Sequence, residues 1–264
     1  KRQLRAMAEC LIAVGGGDLG LHINGQPIPP WMSAYVRRGW LIDFRGQKSG
    51  CRAYLAVAGG IDVPPVLGSR STYLRGGFGG QEGRALKAGD VLLVAQDLGR
   101  GHLPARAARE LSRDRAQLRS LLPPYSDEPT VAVIPGPQRE AFSAAGIEAF
   151  YGSQYQVSPT ADRMGYRLHG PTIGHQGPDP LPSADIVSDG IALGAIQVPA
   201  DRQPIVMMAD RQTTGGYPKI GVVASADIPV LAQCLPGKSS IRFRECSLEE
   251  AQDRYRRLTR TLQA

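Results

Sequence analysis

Apolar positions along this chain fall mainly in short runs broken by glycine and proline. GAIQVPADRQPIVMMA (194–209) is β-branched and apolar around a Pro-Ala-Asp-Arg turn, which predicts two strands. CLIAV near the start reads as another, and RRGWLIDF (37–44), KAGDVLLV (87–94) and PGKSSIRF (236–243) each read as a glycine turn feeding a strand. A larger echo sets CRAYLAVAGGIDVPP beside QPIVMMADRQTTGGYP, with KAGDVLLV closing the first and PGKSSIRF the second, as expected of two related β domains. Helical spacing is confined to two places. LPARAARELSRDRAQLRSLL (103–122) carries Leu111, Leu118 and Leu122 on one face and ends at the breaker PPYSDEP; SLEEAQDRYRRLTRTLQ opens with Ser247 and places Glu250 three residues on, a capping box that predicts a short helix.

A length of 264 residues suits one large or two ordinary domains, and 32 Gly with 21 Pro suits strands and tight turns better than a helical bundle. The predicted fold is mainly β, with an N-terminal domain over 1–97, a connector over 98–129 and a C-terminal domain over 130–264. The net charge of +7 would suit a nucleic-acid partner. However, Arg100, Arg106, Arg109, Arg113, Arg115 and Arg119, set against only Glu110 and Asp114, place more than half of that excess in one stretch without interleaved aromatics. A solvated helical face is the expectation there, and no nucleic-acid partner. No apolar run approaches a membrane span, no cleavable leader is evident, and Cys10, Cys51, Cys234 and Cys246 have neither C-x-x-C pairing nor histidines at zinc-ligand spacing. A cytoplasmic protein with reduced thiols, no membrane partner and no metal is expected.

The densest chemistry lies in MMADRQTTGGYPKI (207–220), where an acid, a base, a carboxamide, two hydroxyls and two glycines meet at a strand end. Asp210 and Arg211 in an ion pair with Thr213 and Thr214 capping a turn would be a structural reading. Arg211, Gln212 and exposed N–H groups orienting a small polar substrate would be a functional one, with Gly215 and Gly216 permitting positive φ or close backbone approach. Spacing does not choose between them. A second patch, GSRSTYLRGGFGGQEGRALKAGD (68–90), combines Arg70 with Gly79 and Gly80 and is either an anion cradle or an irregular surface loop; it matches neither a Walker A nor a dinucleotide fingerprint. In SPTADRMGYRLHG (158–170), Asp162 and Arg163 either bind substrate or pin the loop. No self-sufficient catalytic signature is present, which points to catalysis shared with another subunit or to a binding role.

RAYLAVAGGIDVPPVLGSRSTY, FGGQEGRALKAGD, VIPGPQ, DRMGYRL, GAIQVP and QPIVMMADRQTTGGYPKI run through nearly the whole chain. In these segments it resembles the biotin-dependent carboxyltransferase family that includes the C-type subunit of 5-oxoprolinase, allophanate hydrolase subunit 2 and the antagonist of the sporulation-kinase inhibitor. The resemblance implies two cyclophilin-like β-barrel domains. It also implies partners: a homologous smaller subunit and, in the 5-oxoprolinase case, a lactam hydrolase subunit. The implied reaction is ATP-dependent opening of 5-oxo-L-proline to L-glutamate. The family alternatives are a regulatory protein that sequesters the smaller partner, or the carboxyltransferase half of a urea-type enzyme, with carboxybiotin arriving on a separate protein because no A-M-K-M sequence is present. Placed on the family motifs, residue chemistry suggests Asp162 and Asp210 for orientation or proton transfer. It suggests Arg70, Arg163 and Arg211 for carboxylate or phosphate binding, Gln197, Gln212 and Tyr217 with Thr213 and Thr214 for hydrogen bonds to substrate, and Gly79, Gly80, Gly215 and Gly216 for cofactor approach. The family's usual opening, a T-V-Q-D-L-G-R-like segment and a G-A-M-D-like motif, is absent, so the first barrel is expected to lack its N-terminal part.

Overall fold

The computed structural model describes residues 2–95, 125–177 and 185–263, so the predicted helix over 103–122 and its arginines lie outside the described residues. The chain divides into two compact units, one built from Lys1–Gly46 and, among the described residues, 53–95, the other from Gln47–Arg52 and the described residues from 125 on. Among the described residues the fold is mainly β.

The first unit contains β1 (Arg2–Arg5), β2 (Cys10–Asp18), β3 (Leu21–Ile23), β4 (Gln26–Pro27), β5 (Met32–Val36), β6 (Leu41–Phe44) and the end of β7 (Ser49–Val57). These strands form a four-stranded sheet in the order β1-β6-β3-β4 and a three-stranded sheet in the order β5-β2-β7. Alternation sends Ile12 and Val14 of β2 inward to meet Leu21, Ile23, Val36 and Ile42 in one core. KAGDVLLV departs from expectation and forms no strand. Val91 and Leu93 are exposed, and among the described residues the only ladder contact of the segment is the single bridge Ile61↔Val94. An apolar run becomes a strand only where a neighbour offers it a register.

The second unit is a closed barrel. Its strands are β8 (Thr130–Pro135), β9 (Gln154–Val157), β10 (Gly165–His169), β12 (Ala195–Gln197), β13 (Ile205–Met207), β15 (Lys219–Val223) and β16 (Ser240–Glu245), in the order β10-β13-β12-β15-β8-β16-β9. Val131, Phe150, Tyr155, Leu168, Ile196, Val206, Ile220 and Ile241 fill it. Helix α1 (Ala144–Gly152) starts at Ser143, whose Oγ accepts the Gly146 N–H at 3.1 Å; α2 (Ile228–Leu231) is a single turn. The C-terminal helix α3 (Leu248–Gln263) is longer than expected at 16 residues, and Ser247 Oγ accepts the Glu250 N–H at 3.2 Å as the capping box predicts. Ala251 of α3 packs on Ala132, Ala224 and Cys246. Arg254 pairs with the buried Asp227, which also accepts the Ala132 N–H at 2.7 Å. A separate two-stranded ribbon, β11 (Asp189–Gly190) with β14 (Thr214–Gly215), completes the unit.

Candidate functional site

The sequence positions one face of the barrel wall for chemistry by a change of register. On β12, Ile196 lies in the barrel core whereas Ala195 belongs to a second cluster with Ile191 and Met207 on the opposite face, and Gln197 alternates with Ala195 onto that face. Strand β15 pairs with β12 as Ala195↔Val222 and Ile196↔Gly221 and then shifts by one residue, to Gln197↔Lys219. Continued without the shift, that register would set Lys219 opposite Val198, whose side chain is in the apolar core. The bulge therefore turns the lysine out of the core and onto the face of Gln197, where directly opposed Cβ atoms stand about 4.5–5.5 Å apart.

The ribbon β11–β14 lies over this face. Its pairs are Asp189↔Gly215 and Gly190↔Thr214, extended by Ile191 N–H to Thr213 O at 2.9 Å and Ile186 N–H to Gly216 O at 2.6 Å. Lys219, with a side chain only 4% exposed, pairs its ammonium with Oδ1 of Asp189, whose side chain is 40% exposed. Gln138 Nε2 donates to Asp189 Oδ2 at 3.1 Å while Gln138 Oε1 accepts the Lys219 backbone N–H at 3.2 Å. The Lys219 hydrogen bond, assisted by Gln138, holds the Asp189 carboxyl below its ordinary range. Gln197 is 2% exposed, and its Nε2 has no hydrogen-bond partner among the described residues. Gly215 owes its identity to close approach and not to a positive φ: a Cβ there would stand 2.6 Å from Ile191 Cδ1, 3.0 Å from Gln197 Nε2 and 3.6 Å from Gln212 Nε2.

The residues singled out from the sequence fall into three groups. Gln197, Gln212 and Gly215 meet under the ribbon; Thr213, Thr214 and Gly216 build its edge, and Tyr217, 41% exposed, leads directly into Pro218 and Lys219. Arg211 braces the same segment, donating from Nε to Ile191 O at 3.0 Å and from Nη1 to Met208 O at 3.5 Å. The second group sits at the ends of β10 and β13. There Asp210 pairs with Arg163 rather than with its neighbour Arg211, accepting from Nε at 2.8 Å and Nη2 at 2.9 Å, and Asp162 Oδ1 accepts the N–H groups of Met164 at 2.8 Å and Gly165 at 3.2 Å. The third lies in the first unit: Arg70 faces Asp62 at 3.5 Å, and Gly79 and Gly80 take positive φ with their backbones against Ser71 and Thr72. Sequence reasoning missed Gln138, Asp189 and Lys219. Two of them stand inside recognisable segments, VIPGPQ and GGYPKI; Asp189 has no local signal.

Barrel, bulge and ribbon define a β-barrel protein with polar chemistry gathered on one covered face of the wall. The chain belongs to the family "Carboxyltransferase domain, subdomain A and B", which matches residues 1–245. It is 41% identical over 219 residues to the C-type subunit of 5-oxoprolinase from Escherichia coli K12, covering 82% of this chain and 63% of that protein. With the corresponding 5-oxoprolinase subunit of Haemophilus influenzae it shares 35% identity over 238 residues, covering 90% of this chain and 70% of that one. The crystal structure of the K. lactis urea amidolyase superimposes with a TM-score of 0.82 at 30% identity, over 98% of this chain and 16% of that chain. The chain thus spans less than two thirds of the E. coli relative. Among the described residues no helix is long and apolar enough to cross a membrane, and no group of His, Cys, Asp and Glu is arranged to hold a metal.

Proposed function

We propose that this chain acts as part of a 5-oxoprolinase subunit in a cytoplasmic complex, opening 5-oxo-L-proline to L-glutamate at the expense of ATP with a homologous smaller subunit and a lactam hydrolase subunit. The observation that carries the reading is the covered face itself: in a chain 41% identical to a 5-oxoprolinase subunit, Gln212 and Lys219 of the DRQTTGGYPK segment lie on one face with the Gln197 amide and the Asp189 carboxylate of the ribbon. Such a set suits a small, uncharged polar group better than a broad protein surface. A lactam is stabilised by resonance, so coupling its opening to ATP is chemically reasonable. Two arginines of the glycine loop are turned to carboxylates, Arg84 to Glu82 and Asp90, and Arg70 to Asp62. Those two guanidinium groups are committed to carboxylates, and we derive no step through ATP on this chain; the nucleotide belongs to the complex as a whole.

A second reading is favoured by the likeness to the K. lactis urea amidolyase over 98% of this chain: a carboxyltransferase half that receives carboxybiotin from another protein. The test is release of phosphate and glutamate from ATP and 5-oxo-L-proline by the full-length protein mixed with both partner subunits, each omitted in turn. Turnover that requires this chain supports the oxoprolinase reading. Tight binding of the smaller subunit without turnover would instead make it a regulator.

A further inference from the structure

Gln197 occupies a position that folding alone does not explain. Its amide is buried on the outer face of the barrel wall, its Nε2 has no partner among the described residues, and Gly215 leaves no side chain against it. A buried N–H without a partner is destabilising, and folded proteins keep very few. Across the strand pair stands Lys219, placed there by a bulge, with one ammonium hydrogen committed to Asp189 and two more available for donation. Asp189 sits at the rim and, being ionised, offers acceptor capacity only. Two donors from directly paired positions of adjacent strands and one acceptor from the ribbon thus share one face of the wall.

We infer that Gln197, Lys219 and Asp189 form a subsite for the edge of a cyclic amide, in which Gln197 Nε2 and Lys219 Nζ donate to the ring carbonyl oxygen and Asp189 accepts from the adjoining ring N–H. The edge, one C=O beside one N–H, is shared by the lactam of 5-oxo-L-proline and the ureido ring of biotin, so the subsite serves either source. Its assignment to 5-oxo-L-proline rests on the function proposed above, whereas its existence does not. Entry is from the rim at Asp189 and Tyr217. The ribbon covering Gln197 pairs over two residue positions and is extended by one backbone hydrogen bond on either side. Two donors on the carbonyl oxygen draw electron density from the ring carbon, which favours attack on it, and an acceptor on the ring N–H fixes which way round the ring sits.

The test compares wild-type protein with Gln197→Met, each full-length and assembled with its partner subunits. Calorimetric titration uses 5-oxo-L-proline, free biotin and L-proline, the last retaining the ring and carboxylate of the lactam but lacking its carbonyl. The expected result is binding of 5-oxo-L-proline and not of L-proline, weakened at least tenfold by Gln197→Met, in a variant that melts no lower than wild type because no hydrogen bond of the free protein is lost. Binding of biotin in place of 5-oxo-L-proline, with the same dependence on Gln197, keeps the subsite and transfers it to the carboxyltransferase reading. Equal binding of L-proline, unchanged affinity in the variant, a melting point below wild type, or binding of none of the three would overturn the subsite. The two claims separate: a complex that binds 5-oxo-L-proline through Gln197 yet releases no glutamate refutes the proposed function alone, while turnover with an unaltered KM in Gln197→Met refutes the subsite alone.

Discussion

Removing either partner of the Lys219–Asp189 pair deletes the same interaction, yet the two deletions should differ severalfold in cost. Lys219 is buried at 4% side-chain exposure and Asp189 is 40% exposed. In Asp189→Ala an ammonium remains under the ribbon with no anion beside it, the situation in which a broken buried pair costs about 3–5 kcal/mol. In Lys219→Met the carboxylate left behind is hydrated from the rim and keeps the Gln138 hydrogen bond at 3.1 Å, while methionine fills the volume of the lysine stem, so the cost should stay within about 1 kcal/mol. Guanidinium unfolding at pH 7, followed by a probe in the barrel unit, measures the difference directly. At about 2–4 °C per kcal/mol for a domain of 150–250 residues, Asp189→Ala should also melt well below Lys219→Met. Equal losses, or a larger loss for Lys219→Met, would refute the argument, because they would show that the stability resides in the packing of the lysine stem and not in compensation of a buried charge.

Arg254→Met should cost about 2–4 kcal/mol in the same unfolding assay, since it strands the buried Asp227 carboxylate with only the Ala132 N–H; a loss below 1 kcal/mol would mean that water reaches Asp227. Burial pushes the Cys234 thiol up to about 12, so this residue should resist iodoacetamide at pH 8 until the barrel unfolds, as read by peptide mass spectrometry, and prompt labelling of the native protein would contradict its placement. Asp90 is held at about 2, against an ordinary 3.8, chiefly by the Arg84 guanidinium and then by the Lys87 N–H. Its folded pKa is depressed, so whatever it contributes to the order of the glycine-rich loop is fully present above pH 3.8 and is lost as pH falls through about 2. A carbon-detected titration should find that midpoint in wild type and a higher one in Arg84→Gln, still short of 3.8 because the Lys87 N–H remains, and identical midpoints would dismiss the pair.

Much of the architecture was legible one residue at a time. Alternating apolar runs predicted β2, β6, β12, β13 and β16, the Pro-Ala-Asp-Arg turn joined β12 to β13, and Ser247 with Glu250 marked the start of α3. These features depend on neighbours in sequence, where the side-chain period and the capping hydrogen bond act locally. KAGDVLLV shows the limit of that reading, because a strand needs a partner and the apolar pattern does not say whether one exists. The polar stretch 207–220 was recognisable by composition, and with it Gln212, Gly215 and Tyr217, but its pairings were not: Asp210 reached past its neighbour Arg211 to Arg163, and Arg211 turned to the carbonyls of Ile191 and Met208. The sequence by itself therefore determined a mainly β chain and the segment in which its polar chemistry is concentrated. Only the tertiary structure decided which groups share a site. A one-residue bulge moves Lys219 from the core side of the wall to the side of Gln197, and a ribbon formed from segments more than 20 residues apart lays Asp189 across both. Register and long-range pairing are settled by the packing of strands distant in sequence, and neither leaves a trace in the local pattern of residues.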